Sequence, residues 1–142
     1  MYRSKAYKER NPSEVVEDIR KAGAYYRRFE MRPSKVFLCD GDALGAPTED
    51  IYKSLLAIRE EFGDIRVGVY ATAQNMLDKT DEELRFLKEA GLGICYLGME
   101  SGCDKVLHMT VKGNTAQDMI DGSLKVMAAG MKLSVIAMLG LG

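Results

Sequence analysis

The sequence is poor in the residues that build metal centres and disulfide frameworks. Its 142 residues include one histidine and three cysteines. Cys39, Cys95 and Cys103 follow no zinc or disulfide spacing, and the first two lie within apolar runs, where a thiol packs as a small hydrophobic group. We therefore expect no metal site shared by these cysteines, and His108 has no second imidazole to join it as a ligand.

Strong net charge and long apolar runs are also absent. The formal net charge of -1 at pH 7 provides no general attraction to nucleic acid or to an anionic membrane. No apolar run is long enough to span a bilayer, and the N-terminal residues are too polar for a signal peptide. With 46% hydrophobic and 29% charged residues, the composition predicts a soluble, cytoplasmic globular protein.

What the chain does contain is a repeat of apolar run, helix and glycine stop, about every thirty residues. Strands are predicted at the apolar runs that cover residues 36–39, 67–71, 94–98 and 133–139. Longer amphipathic helices are predicted to begin at Asn11, Thr48, Thr80 and Asn114–Thr115, where asparagine and threonine side chains can cap the first turn. This spacing is typical of βαβ units with a parallel sheet.

The predicted elements begin with a helix and end with a strand. Parallel sheets need both faces covered and their edges protected, which four strands alone do not achieve. We therefore expect an α/β fold in which residues 1–142 form a single partial (β/α) barrel of parallel strands, truncated at both ends. An unusually small open sheet is the alternative.

Polar residues follow three of the predicted strands, at the point where each strand ends. They are, in chain order, Asp40 and Asp42, then Thr72, Gln74 and Asn75, then Glu100 and Ser101. Because the carboxyl ends of parallel strands meet at one edge of a sheet, this pattern predicts one ligand site assembled from several loops.

The order of these motifs resembles the radical S-adenosylmethionine superfamily, of the Elp3-like or coproporphyrinogen-oxidase-like kind. D-G-D at 40–42 falls where that family carries a Gly-Gly-Glu-like motif, and G-M-E-S-G at 98–102 is similar to its G-x-[EQ]-S-G. K-G at 112–113 resembles the family's basic residue, and residues 135–142 resemble its fifth strand and the glycine turn that follows. The resemblance extends over essentially the whole chain.

The resemblance implies a set of contacts with S-adenosylmethionine. Asp42, with Asp40 and Gly41 beside it, would receive the α-ammonium group, and Lys112 would pair with the carboxylate. Glu100 would accept hydrogen bonds from the ribose hydroxyls, with Ser101 as an accessory. The strand around Ile136 would provide an apolar wall for the adenine.

The chain departs from the family in its cysteines. The family holds a four-iron–four-sulfur cluster with three cysteines spaced C-x3-C-x2-C after the first strand, and no such triplet occurs here. The opening residues resemble the segment just beyond that triplet, so we expect the first strand and cluster loop upstream. The whole enzyme would generate a 5′-deoxyadenosyl radical that abstracts hydrogen from a substrate. This chain alone is not expected to be catalytic.

Two other functions are compatible with the same residues. Asp40, Asp42 and Glu100 suit a divalent metal such as magnesium in a different barrel enzyme. Alternatively, the chain is a non-enzymatic binding or interaction module, in which these acidic side chains only keep their loops in contact with solvent. The partners we expect are a small-molecule cofactor, the remainder of the parent chain and, through exposed sheet edges, a second copy of this chain.

Overall fold

The computed structural model describes residues 10–39 and 43–141. Within these ranges, helices and strands alternate in the predicted order. The helices are α1 (Pro12–Arg28), α2 (Thr48–Phe62), α3 (Ala73–Asp78), α4 (Asp81–Glu89), α5 (Asp104–Met109) and α6 (Ala116–Ala128), with a 3-10 turn at Ala43–Gly45. The strands are β1 (Lys35–Leu38), β2 (Arg66–Ala71), β3 (Leu92–Glu100) and β4 (Lys132–Ala137).

The four strands form one parallel sheet in the order β1-β2-β3-β4. At least one helix joins each strand to the next, as parallel pairing requires. The predicted α/β fold with parallel strands is therefore confirmed. All four strands end at the same edge of the sheet, which is the edge where the sequence predicts a ligand site.

Three helices begin at the capping residues that the sequence predicted. The Asn11 side chain accepts a hydrogen bond from the first turn of α1. Thr80 and Thr115 each form a reciprocal capping box, with Glu83 in α4 and with Asp118 in α6. These hydrogen bonds are local, since each joins residues two or three positions apart.

Thr48 does not cap α2, and that prediction was wrong. Pro47 holds the N-cap position, and Thr48 is the first helical residue. The Thr48 hydroxyl donates instead to the Glu83 carboxylate at the start of α4. This bond, together with the one from the Thr80 N–H, lowers the pKa of Glu83. The Thr48 hydroxyl thus links the start of α2 to the start of α4.

The two faces of the sheet differ in chemistry. One face packs under the helices and forms the core, which includes Val67, Val69, Ala71, Cys95 and Leu97 from the strands and Leu55, Ile58, Leu84, Leu87, Met119 and Val126 from the helices. The opposite face carries Phe37, Tyr70 and Tyr96, whose ring centroids lie 4.7–6.2 Å apart. Tyr70 is 46% exposed, so this face is accessible in the described part of the chain.

A glycine brings α6 into direct contact with α3. A Cβ atom at Gly122 would lie 3.1 Å from the Met76 Cβ and 3.2 Å from the Ala73 carbonyl oxygen. Lys125, one turn further along α6, donates to the Leu77 carbonyl oxygen at 2.8 Å. The α3 helix, which follows β2, is therefore clamped against the helix that precedes β4.

The outer strands β1 and β4 pair on one side only, as far as the described residues show. Beside β4, several large apolar side chains are about half exposed, namely Ile120, Leu124 and Met127 on α6 and Val135 and Ile136 on β4. None of the helices in the described ranges is both long and apolar enough to cross a membrane.

Candidate functional site

The end of β3 leaves the regular strand geometry at the predicted ligand residue. The register with β4 shifts between Gly98 and Glu100, which is the mark of a β-bulge. Glu100 itself has a φ of 63°, in the left-handed region that side chains other than glycine avoid. The Ser101 N–H donates to the Met99 carbonyl oxygen at 2.8 Å, closing a tight turn centred on Glu100.

The backbone conformation at Glu100 is anchored from the neighbouring strand. Its carbonyl oxygen accepts a hydrogen bond from the Met138 N–H at 2.9 Å, just beyond β4. A left-handed conformation costs roughly 1–2 kcal/mol at a residue with a Cβ. Such strain persists only where the surrounding structure enforces it, and it concentrates at functional sites.

A second strained residue positions the cation of the site. The α5 helix ends in a Schellman motif, in which the Val111 N–H donates to the His108 carbonyl oxygen and the Lys112 N–H donates to that of Leu107. Val111 occupies the left-handed position of this motif, with a φ of 54°. The backbone of Lys112 is thereby bonded to Leu107, a residue that is fully buried in the core.

Glu100 and Lys112 meet in an ion pair. Lys112 Nζ donates to Glu100 Oε1 at 3.1 Å, and both side chains are 26% exposed. The pair lies over Gly98, where a Cβ atom would come within 3.1 Å of Glu100 Oε1 and 3.5 Å of Lys112 Nζ. The absence of a side chain at Gly98 therefore makes room for the pair.

The structure also places Ser101 and Ile136 relative to this pair. Ile136 is the register partner of Gly98 on the adjacent strand, so its side chain projects from the same face of the sheet as the pair. Ser101 Oγ accepts a hydrogen bond from the Cys103 N–H at 3.2 Å, in the turn that leads into α5. No acceptor for its hydroxyl proton comes from residues 10–39 or 43–141.

The sequence reasoning missed the aromatic residues beneath the site. Tyr70 and Tyr96 are register partners on β2 and β3. Tyr96 lies two residues before Gly98 on the same strand, so both rings lie on the same face of the sheet as the ion pair. Phe37 joins them from β1. The sequence did contain a signal for them, because each of three successive apolar runs carries one aromatic residue that alternates with the core-facing positions. Together the three rings form an apolar surface next to the Glu100–Lys112 ion pair.

The polar residues after β2 do not contribute free side chains to the site. Thr72 and Asn75 bind each other in a capping box at the start of α3. Gln74 donates to Asp78 at 2.6 Å, one turn along the same helix. The polar pattern after this strand therefore marks a helix start. Asp40, Gly41 and Asp42, the predicted partners of an ammonium group, lie outside the described residues.

The cysteines do not fit an iron–sulfur cluster. Cys95 is buried in the core, where burial raises the pKa of its thiol to about 12, so the thiolate that a cluster needs is strongly disfavoured. Cys39 follows β1 and Cys103 precedes α5, both exposed. Across the described ranges, no group of three or more histidine, cysteine, aspartate or glutamate side chains is placed to hold a metal ion.

A comparison with known protein families shows which family the chain belongs to. The model of the radical S-adenosylmethionine superfamily matches residues 2–142. The chain belongs to this superfamily. The resemblance that the sequence motifs indicated is thus confirmed, and membership implies that the whole enzyme uses S-adenosylmethionine and an iron–sulfur cluster. No match was found among curated protein sequences.

Solved structures with a similar fold include two that are described as radical enzymes. OxsB, a cobalamin-dependent S-adenosylmethionine radical enzyme, has a TM-score of 0.73 at 16% identity, over 89% of this chain and 19% of its own. Elp3 of Methanocaldococcus infernus has a TM-score of 0.66 at 15% identity, over 89% and 34%. HemN of Escherichia coli, a coproporphyrinogen III oxidase, has a TM-score of 0.69 at 11% identity, over 92% of this chain and 31% of its own.

These similarities concern the fold. They confirm that the four parallel strands correspond to part of a radical S-adenosylmethionine (β/α) barrel. The chain spans about a fifth to a third of the length of these structures. The activities, substrates and partners of the three enzymes belong to those proteins.

Proposed function

We propose that this chain forms part of the S-adenosylmethionine pocket of a radical S-adenosylmethionine enzyme. The observation that carries the proposal is the Glu100–Lys112 pair over Gly98, at the carboxyl edge of the sheet, in a member of this superfamily. A carboxylate accepts hydrogen bonds from adjacent hydroxyls, so Glu100 binds the ribose, with Ser101 as an accessory donor or acceptor.

The other parts of the cofactor match the remaining predicted residues. The ammonium group of Lys112 faces the cofactor carboxylate, because two of its three protons are left after the bond to Glu100. Asp42, with Asp40 and Gly41, receives the α-ammonium group. Ile136 packs against the adenine, and its 44% exposure leaves apolar surface for this contact.

The radical chemistry requires groups that these 142 residues do not supply. A four-iron–four-sulfur cluster held by cysteine thiolates would supply the electron that cleaves a carbon–sulfur bond of S-adenosylmethionine. The C-x3-C-x2-C triplet is absent from the sequence, and the cysteines present do not fit a cluster. Residues 1–142 therefore act as one partial barrel domain that binds and orients the cofactor.

Equilibrium binding of S-adenosylmethionine to the purified chain tests this function. We expect saturable binding that Glu100→Ala weakens about tenfold or more, because a hydrogen bond to a charged group contributes roughly 1.5–3 kcal/mol. Glu82→Ala, at an exposed position on α4, is the matched control and should leave the affinity unchanged. Absence of binding by a folded chain, or equal affinity in the Glu100→Ala variant, would refute the proposal.

A further inference from the structure

The Glu100 carboxylate has two oxygens with different environments. Oε1 accepts the hydrogen bond from Lys112 Nζ at 3.1 Å. No other hydrogen bond to this carboxylate comes from the described part of the chain, so Oε2 is available to a ligand there. An acceptor with one oxygen held and the other open is oriented before a ligand arrives.

Both members of the pair are held in place by backbone interactions rather than by side-chain packing alone. Glu100 is fixed by the bulge, the tight turn and the bond to Met138. Lys112 is fixed by the Schellman motif that ends α5, through its bond to the buried Leu107. Glu100 itself, and Val111 directly before Lys112, adopt left-handed backbone conformations, and such strain marks a conformation that the fold imposes.

We propose that Lys112 is a positioning residue for the ribose contact: it holds Glu100 Oε1 so that Oε2 accepts from the ribose hydroxyls. This role is separate from any contact between Lys112 and the cofactor carboxylate, and it rests on the proposed function. Groups that orient a ligating side chain commonly change affinity by about tenfold or more when they are removed. The effect therefore reaches ligands that Lys112 itself never touches.

A ligand without the carboxylate separates the two roles of Lys112. 5′-Methylthioadenosine keeps the adenine and both ribose hydroxyls of S-adenosylmethionine but has neither the ammonium group nor the carboxylate. If Lys112 positions Glu100, Lys112→Met should weaken binding of 5′-methylthioadenosine by about tenfold and binding of S-adenosylmethionine by at least as much. If Lys112 only pairs with the cofactor carboxylate, the substitution should weaken S-adenosylmethionine alone.

The coupling between the two residues provides a second readout. In a double-mutant cycle on 5′-methylthioadenosine affinity, Glu100→Gln and Lys112→Met should be non-additive, with the double variant hardly weaker than either single variant. Lys112→Arg, which keeps a cation at this position, should recover most of the affinity. Lys105→Met, on the exposed side of α5, is the control for loss of a lysine from the same helix.

The possible results distinguish the two proposals. Weakened binding of S-adenosylmethionine alone, or simple additivity in the cycle, would overturn the positioning role while leaving the proposed function intact. A wild-type chain that is folded by circular dichroism but binds neither ligand would overturn both. Should Lys112→Met fail to fold, Lys112→Ala provides the same comparison, since a tenfold loss of 5′-methylthioadenosine affinity supports the role and an unchanged affinity contradicts it.

Discussion

Replacement of Val111 by glycine should stabilise the protein. Val111 is a β-branched residue in the left-handed region, with a φ of 54°, at the C′ position of the α5 Schellman motif. Its side chain is 89% exposed, so its removal sacrifices almost no buried apolar surface. The energetic balance is therefore set by the backbone.

Two backbone terms oppose each other in this substitution. Relief of the left-handed strain contributes roughly 1–2 kcal/mol. The greater freedom of glycine in the unfolded chain removes about 0.4–1 kcal/mol of that gain. The net expectation is a stabilisation of about 1 kcal/mol, which for a domain of this size raises Tm by about 3 °C.

The chain contains a reference for this substitution. The α6 helix ends in the same motif, with Gly130 at C′ and a φ of 84°. Gly130→Val places a β-branched residue in that conformation and should destabilise the protein by a comparable amount. Val111→Ala is the intermediate control, because it keeps a Cβ in the strained position and should change Tm much less than glycine does.

Thermal and urea unfolding followed by circular dichroism measure both changes. Unchanged m-values between variants would show that the shift reflects stability rather than a change in the surface exposed on unfolding. A lower stability for Val111→Gly would refute the reasoning, because it would mean that the exposed valine side chain makes a contact that outweighs its backbone strain. The same argument applies to Glu30, the C′ residue of α1, with a φ of 54°.

Three further predictions concern the site, the open edge and pH. Gly98→Val should weaken S-adenosylmethionine binding by about tenfold, because the added side chain displaces the Glu100–Lys112 ion pair. Gly102→Val is the control, since a Cβ atom there meets no atom of the described residues within 4 Å and should leave the affinity unchanged. Equal effects of the two substitutions would argue against the site. The wild-type chain should self-associate, and Leu124→Glu should reduce its mass in light scattering; a monomeric wild-type chain would contradict this. Because the folded-state pKa of Glu83 is lowered, its stabilising effect is complete above its ordinary pKa and is lost as pH falls through the folded value. Glu83→Gln should therefore cost more stability at pH 7 than at pH 3, unlike Glu82→Gln; a constant cost would refute the assignment.

Sequence alone determined the parts of the structure that depend on neighbours along the chain. The capping boxes of Thr80 and Thr115 join residues three apart, so the residue types suffice to place these helix starts. Glycine stops and apolar runs likewise located the strands, and the order of motifs at their ends identified the superfamily. Glu100 was correctly placed at the end of β3 for the same reason.

Only the tertiary structure decided how side chains distant in sequence meet. Thr48 reads locally as a cap, yet its hydroxyl binds Glu83, thirty-five positions away. Phe37, Tyr70 and Tyr96 come together because the register of three strands aligns them.

The pairing of Glu100 with Lys112 required the same kind of information. It depends on a β-bulge, on two left-handed residues and on the bare backbone at Gly98. The bulge depends on the pairing of β3 with β4, and the Glu100 backbone depends on the hydrogen bond from the Met138 N–H. No local pattern of residue types encodes these contacts between strands. The sequence thus proposed Glu100 and Lys112 as separate contacts of the cofactor, and the fold brought their side chains together.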